Sequence, residues 1–176
     1  GNHQGMWIAP SGTKLYQIDR NLKYILYDGI STWNPFSPGS PFRFKDISAD
    51  TSLPTGIAVK PDGTRAFVSN LGTTGGDIVE FSGTADRPDL WTKGYELTQS
   101  GTFFTDIFVP DAGTTMYVTN ENGLIYYYEL STAWDVSSAS YFQNFSVSSQ
   151  DANPHGLFFK PDGTKMYIVG DDGNDV

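Results

Sequence analysis

Apolar residues occur along the chain in short runs that alternate with polar turns containing Pro or Gly, which is the spacing typical of β-strands. One set of runs precedes each turn and a second set follows it. The first set lies at residues 6–9, 57–59, 107–109 and 157–159, and the second at 15–18, 66–69, 116–119 and 166–169. Each pair, which we call strands A and B, predicts a β-hairpin.

The turns between these strands reveal an internal repeat. A Gly-Thr pair recurs at residues 12–13, 63–64, 113–114 and 163–164, with spacings of 51, 50 and 50 residues. In the second and fourth copies the turn reads Pro-Asp-Gly-Thr. Pro presets φ, Asp hydrogen-bonds to nearby backbone, and Gly takes the left-handed conformation that other residues resist. Four copies at nearly one period predict a repeat architecture.

Two further strands complete the repeat. Strand C is predicted at residues 24–28, 78–82 and 125–130, and a weaker strand D at 42–47, 95–97 and 141–147. Strand C is apolar on both faces, so its sheet must be covered on both sides. A four-stranded antiparallel sheet of about 50 residues with two buried faces is the signature of a β-propeller blade. The predicted fold is therefore all-β, a single propeller segment of three blades plus a half blade, with repeats near 5–54, 55–104, 105–154 and 155–176.

The segment Thr115-Met-Tyr-Val-Thr-Asn120 and the Pro-Asp-Gly-Thr hairpins resemble YVTN-type β-propeller repeats, which are related to the lactonase-like and TolB-like propellers. The resemblance covers the whole chain and implies the propeller fold. It leaves the activity open, because such propellers include surface proteins, binding proteins, electron-transfer partners and some hydrolases.

The strand order ends on strands A and B of a fourth repeat, whereas propellers usually need at least about four blades to close a ring. Two explanations are open. The sequence is a segment of a longer propeller, which we favour, or another chain completes the half blade by strand donation and forms a ring or a filament. Self-association through the open half blade is therefore one expected interaction.

The chain is acidic and lacks cysteine. It has 11 Lys and Arg against 20 Asp and Glu, a formal charge of −9 and a pI near 4.4. This balance argues against binding nucleic acid or an anionic membrane surface. No apolar run approaches the roughly 18 residues of a membrane helix, so membrane insertion is not expected. The absence of Cys excludes disulfides, thiolate metal sites and a cysteine nucleophile.

Candidate ligand contacts lie where the A strands begin, because these strands should line the central channel of a propeller. Gln4, Thr55, Asp106 and His155 occupy these positions, and we single out Gln4, Asp106 and His155 as ligand-binding residues. Asp106 and His155 could form a general base if the blades bring them together. The alternative is that they are hydrated loop residues that cap the strand ends.

The C-terminal residues resemble a calcium loop in composition. Asp171, Asp172 and Asp175 supply the carboxylate oxygens that Ca²⁺ prefers, so they are our candidate metal ligands. The loop lacks the spacing and the distal Glu of an EF-hand, and Asn120-Glu-Asn-Gly123 stands at the same place in the third repeat. A turn shared by the blades is therefore the alternative. No other cofactor is predicted.

Three functions compete on these observations. The main interpretation is a non-enzymatic propeller, extracellular or on a cell surface, virion or appendage, that recognises a protein or a glycan. One alternative is a filament subunit built by blade completion. The other is a lactonase-like, metal-dependent hydrolase, although hydrolase, protease, kinase and dinucleotide motifs are absent. The aromatic residues could form a sugar-stacking platform, but strand phase places most of them, including Trp91 and Trp134, in blade packing.

Overall fold

The computed structural model describes residues 3–31, 34–72 and 75–171, and in these segments the chain is almost entirely β. The first antiparallel sheet contains β1 (His3–Ile8), β2 (Lys14–Asp19), β3 (Tyr24–Ser31) and β4 (Asn34–Asp46). The second contains β5 (Pro54–Val59), β6 (Arg65–Asn70), β7 (Gly75–Ser82) and β8 (Thr92–Ser100). The third contains β9 (Phe104–Phe108), β10 (Thr115–Asn120), β11 (Leu124–Leu130) and β12 (Ala139–Ser146). A two-stranded sheet of β13 (Pro154–Phe159) and β14 (Met166–Gly170) follows.

Hydrogen bonds within the turns stabilise the predicted A–B hairpins. In the second hairpin Gly63 has φ +73°, and the Asp62 carboxylate accepts hydrogen bonds from the backbone N–H of Thr64 at 2.9 Å and from its hydroxyl at 2.6 Å. Asp162 makes the same two bonds in the fourth hairpin. These contacts fix the turn and therefore the register of the strands on either side.

Apolar contacts between neighbouring sheets form the core. The first and second sheets share a cluster that includes Ile18, Val68 and Phe81, and the second and third share one that includes Phe67 and Val118. A smaller cluster around Ile125 and Leu157 joins the third sheet to the two-stranded one. The predicted coverage of strand C is confirmed, because β7 is buried along nearly its whole length.

Tryptophan side chains in the turns between the third and fourth strands pack on the preceding sheet. The Trp91 ring stacks on Tyr16 at a centroid distance of 5.7 Å, and Trp134 packs on Phe67 at 5.5 Å. Both indoles are almost fully buried, so the expected role in packing is confirmed for them. The turn around Trp33 falls outside the described residues.

The architecture is an incomplete β-propeller, as the sequence predicts, with sheets that do not close into a ring in the described segments. The outer strands are longer than predicted: β8 starts at Thr92 and β12 at Ala139. Their side chains are mostly exposed, so these strands lack the apolar alternation that reveals the inner ones. Within the part of the chain that the structure describes, no helix is long and apolar enough to cross a membrane.

Candidate functional site

The four innermost strands form a continuous layer along the axis of the propeller. β1 contacts β5, β5 contacts β9, and β9 contacts β13. The connection into each of these strands emerges on the same rim as the loop between the second and third strands of each sheet, because the strands are antiparallel. We call this edge the site rim, and the opposite edge, which carries the A–B turns, the hairpin rim.

Buried threonines link this inner layer from sheet to sheet. The Thr55 hydroxyl donates to the Phe104 carbonyl at 3.0 Å, and the Thr105 hydroxyl donates to the Pro154 carbonyl at 2.6 Å. Each hydroxyl also contacts a hydroxyl on the neighbouring strand of its own sheet, on Ser69 or Thr119. These repeated bonds hold the first residues of adjacent inner strands at a fixed separation.

One residue further along, the inner strands approach so closely that glycine is the usual residue. A Cβ added to Gly5 would lie 2.6 Å from the Cα of Gly56, and one added to Gly56 would lie 2.9 Å from the Cα of Asp106. The two-stranded sheet has Gly156 at the equivalent place, opposite Val169 on β14. Asp106 is therefore a carboxylate at a position where the other three repeats have glycine.

The missing side chain of Gly56 leaves the space in which the Asp106 carboxylate lies. A Cβ at residue 56 would stand only 2.3 Å from Asp106 Oδ1. Oδ2 accepts a hydrogen bond from the backbone N–H of Leu157 at 2.8 Å. The carboxylate thus spans from the second sheet to the two-stranded sheet across the inner end of the third.

This position changes the acidity of the group. Asp106 is half-buried, and the loss of water around its carboxylate raises the pKa to about 7 from the usual value of 3.8. Backbone N–H groups of Leu157 and Ile107 donate to the carboxylate and lower the pKa, but they offset only part of the desolvation. A carboxylate whose pKa lies near neutrality can both accept and release a proton under physiological conditions.

The strand register separates Asp106 from the residues with which the sequence grouped it. Asp106 pairs with Thr119 as Gly56 pairs with Ser69, whereas Thr55 corresponds to Thr105. The sequence analysis aligned Asp106 with Thr55, one residue away from its structural equivalent, Gly56. A count of fifty residues from Gly56 would have revealed that Asp106 replaces a glycine.

His155 lies on the site rim but forms a different pair from the one expected. Its Nε2 lies 3.0 Å from Asp171 Oδ2 and 3.2 Å from Asn153 Nδ2. Among the described residues its ring makes no hydrogen bond with Asp106. The link between β9 and β13 at this point is the bond from the Leu157 N–H to the Asp106 carboxylate. The His155 and Asp171 side chains are exposed, at 43% and 73%.

Gln4 is exposed on β1. β5 lies between β1 and β9, so the structure brings Asp106 next to the strand that carries His155 and leaves Gln4 two strands away. The three predicted ligand contacts are therefore spread over the inner layer.

The candidate metal ligands are only partly described. Asp171 contacts His155, while Asp172 and Asp175 fall outside the described residues. Among the residues that are described, no group of three or more His, Asp or Glu side chains is arranged to hold a metal ion. A Ca²⁺ site that includes Asp172 and Asp175 stays a prediction.

A polar groove also opens on the site rim between the first and second sheets. Its lining includes Lys23, Asp50, Asn70 and Asp77. The Asn70 amide is already engaged, since it donates to Asp77 and accepts from the backbone N–H of Leu53. The groove does not include Asp106.

Comparisons with known proteins place this fold beside lactonase-like propellers. The chain is similar to the crystal structure of a putative 6-phosphogluconolactonase from Bacteroides uniformis, with 17% identity and a TM-score of 0.67, over 98% of this chain and 48% of that one. A putative 6-phosphogluconolactonase from Bacteroides fragilis matches with 15% identity and a TM-score of 0.66, over 94% and 47%. The chain therefore spans about half the length of these structures. No protein-family model and no curated protein matches it.

These similarities correct the functional prediction. The neighbours are named as lactonases, which contradicts the main interpretation of a non-enzymatic surface propeller and favours the lactonase-like alternative. The resemblance stated from sequence holds for the lactonase-like propeller fold, and no family model supports the narrower YVTN assignment. At this level of identity the likeness shows the fold alone, so the activity is a proposal.

Proposed function

We propose that this chain forms part of a lactone hydrolase in which Asp106 is the general base. The observation that carries the proposal is the single carboxylate in a layer of glycines, held between β5 and β13 with a pKa near 7. The lactonase names of two structures with the same fold support the choice of reaction.

Hydrolysis of a lactone needs a water molecule to lose a proton as its oxygen attacks the carbonyl carbon. The ionised Asp106 carboxylate accepts that proton. The ring C–O bond then breaks, the leaving oxygen takes up a proton, and the product is a hydroxy acid. A base whose pKa is close to the working pH is most effective, because it is ionised often enough and still binds the proton well.

The surroundings of Asp106 suit this role. The backbone N–H of Leu157 bonds to Oδ2 and fixes the orientation of the carboxylate, while Oδ1 lies over the bare backbone of Gly56. The absence of a side chain at residue 56 is what gives the carboxylate room to lie there. No step in this mechanism depends on the predicted metal site.

The test is hydrolysis of simple lactones by the purified chain and by the Asp106→Asn variant. Product acid is titrated at constant pH, with glucono-δ-lactone and δ-valerolactone as substrates. We expect kcat to fall by about a hundredfold or more in the variant, as for loss of a general base. In the unmodified chain kcat/KM should rise with pH through an apparent pKa near 7, since the base must be ionised.

Asp111→Asn is the matched control, because Asp111 is an exposed carboxylate of the same sheet on the hairpin rim. Its activity should equal that of the unmodified chain. Equal activity of the Asp106→Asn variant, or the absence of lactone hydrolysis by the unmodified chain, would show that the proposal is wrong. The extracellular location and the protein or glycan partners stay predictions.

A further inference from the structure

The two-stranded sheet leaves part of the third sheet uncovered. β13 contacts the inner strands β9 and β10, and within the described residues β14 pairs with β13 alone. The third sheet is four strands wide, so β11 and β12 extend beyond the free edge of β14. On their uncovered face Tyr127 is only partly buried, and Phe142, whose ring lies 5.3 Å from that of Tyr127, is 58% exposed. We call the free edge of β14 together with Tyr117, Tyr127 and Phe142 the open step.

In the first two sheets the corresponding face is covered by the next sheet. One pair of residues on the second and third strands occupies this place in each four-stranded sheet. The pairs are Tyr16 with Tyr27, Phe67 with Glu80, and Tyr117 with Tyr127. The first two pairs are at most 8% exposed, because the next sheet lies over them. Tyr117 and Tyr127 are only partly buried, so the open step is the place where a third strand would continue the stacking.

The first sheet carries the same kind of face as the third. The residues at equivalent positions of the first and second strands are Trp7 with Tyr16, Ala58 with Phe67, and Phe108 with Tyr117. Both residues of the pair are aromatic in the first and third sheets, and their third strands add Tyr27 and Tyr127. The second sheet has the smaller Ala58 and the charged Glu80 instead. A segment that covers the first sheet therefore suits the third.

That segment is β7 with the turn that follows it. Phe81 of β7 lies in the apolar cluster between the first and second sheets. The Trp91 ring stacks on Tyr16 at 5.7 Å, and the Tyr16 hydroxyl donates to the Asp86 carboxylate at 3.0 Å. An apolar strand followed by a turn with a carboxylate and a tryptophan is thus what covers a face of this kind.

The open step has the groups for the same contacts. The Tyr117 hydroxyl, which corresponds to that of Tyr16, makes no hydrogen bond among the described residues. The backbone N–H and C=O groups on the free edge of β14 likewise have no partner strand in the part of the chain that is described. Met166 and Ile168 of β14 face the third sheet, so a further strand would extend this apolar layer.

A second folded copy of the chain does not fit this edge. If β14 paired antiparallel with β14 of the copy, the same face of both strands would lie on one side of the joint sheet. β11 and β12 of the two copies would then cover that same side and collide. The outer edges at β4, β8 and β12 bring whole four-stranded sheets with them. The occupant is therefore an extended segment without a sheet of its own.

We propose that the open step accepts an extended polypeptide segment in trans, which adds to β14 as a third antiparallel strand. Alternate apolar residues of the segment lie beside Met166 and Ile168 and face the third sheet. In the turn that follows, a carboxylate accepts a hydrogen bond from the Tyr117 hydroxyl and a tryptophan stacks on the Tyr117 ring. This interaction does not depend on lactone hydrolysis.

The probe is a synthetic peptide with the sequence of residues 76–91, labelled with a fluorophore at its N-terminus. Its anisotropy is followed as the purified chain is added in about 0.15 M salt, which screens the repulsion between two acidic partners. We expect saturable binding. A peptide with Trp91→Ala should bind at least about tenfold more weakly, as for loss of a buried aromatic anchor. Binding should also slow amide hydrogen exchange in β14, because its free edge gains a partner strand.

The Tyr127→Asp variant of the chain tests the location. The new carboxylate would lie unpaired beneath the added strand, so the peptide should bind at least about tenfold more weakly. Tyr141→Asp is the matched control, because Tyr141 is 50% exposed on β12 and contacts Tyr126 and Tyr128 on the opposite face of the sheet. Its affinity for the peptide should equal that of the unmodified chain. Urea midpoints of both variants show whether they are folded.

Several outcomes would overturn the proposal. One is the absence of saturable binding up to about 1 mM of the chain. Equal binding of the Trp91→Ala peptide would show that no tryptophan anchor is used, and equal binding by a folded Tyr127→Asp chain would place the peptide elsewhere. If the chain self-associates, Tyr127→Asp abolishes this and the peptide does not compete, the occupant is a second copy and the proposal is wrong.

Discussion

Replacing Asp106 by Asn should change how the stability of the chain depends on pH. The pKa of this carboxyl is about 7 in the folded protein, above the value near 3.8 that an unhindered Asp has. The folded state therefore holds the proton more tightly than the unfolded state. The stability that this provides is fully present below about pH 4 and is lost as the pH rises through 7.

The magnitude follows from the same two values. Between them the free energy of unfolding falls by about 1.36 kcal/mol per pH unit, because only the folded state binds the proton. From pH 5 to pH 8.5 the loss is about 2.7 kcal/mol, and it levels off above pH 7 as the folded-state carboxyl becomes fully ionised. Asn does not titrate, and its side-chain oxygen can still accept from the Leu157 N–H. The variant should therefore gain about 2.7 kcal/mol relative to the unmodified chain between pH 5 and pH 8.5.

Urea unfolding followed by tryptophan fluorescence measures this difference, because Trp91 and Trp134 pass from a buried to an exposed environment. Measurements at pH 5 and pH 8.5 avoid the pI of about 4.4, where solubility is lowest. The Asp111→Asn variant should differ from the unmodified chain by the same amount at both pH values. If Asp106→Asn behaves like this control, the pKa of Asp106 is not raised and the reasoning is refuted.

Three further predictions concern the packing that positions the site. Gly56→Ala should destabilise the chain by about 1–3 kcal/mol and lower the rate of lactone hydrolysis, because the added Cβ would clash with Asp106. An unchanged urea midpoint and an unchanged activity would contradict the close approach of the two strands. Trp91→Ala should lower the free energy of unfolding by about 3–5 kcal/mol, as the indole is 1% exposed and stacks on Tyr16, whereas exposed Leu90→Ala should change it little. Thr105→Val should cost about 1–3 kcal/mol in the same assay, since the Pro154 carbonyl loses its buried donor; a neutral result would mean that this bond does not hold β9 to β13.

The sequence alone is sufficient for the fold because its signals are local. The turns at Asp62 and Asp162 and the short apolar runs depend only on residues close in sequence, and they determine the hairpins. The fifty-residue period then shows that these hairpins belong to repeated sheets. The outer strands were predicted too short because exposed strands carry little apolar alternation, as β8 and β12 show.

The site depended on tertiary structure. Asp106 is a candidate from sequence, but the environment of its carboxylate depends on contacts between sheets. These are the close approach of Gly56 and the hydrogen bond from the N–H of Leu157, which lies 51 residues away. The register is irregular at the start of β5, β9 and β13, and the close approach of the inner strands there is visible only once the sheets are packed together. The structure likewise pairs the His155 ring with the Asp171 carboxylate rather than with Asp106. The sequence determines which residues are available near the axis, whereas the approach of separate sheets decides which of them lose water, and for Asp106 this loss is the main cause of the raised pKa.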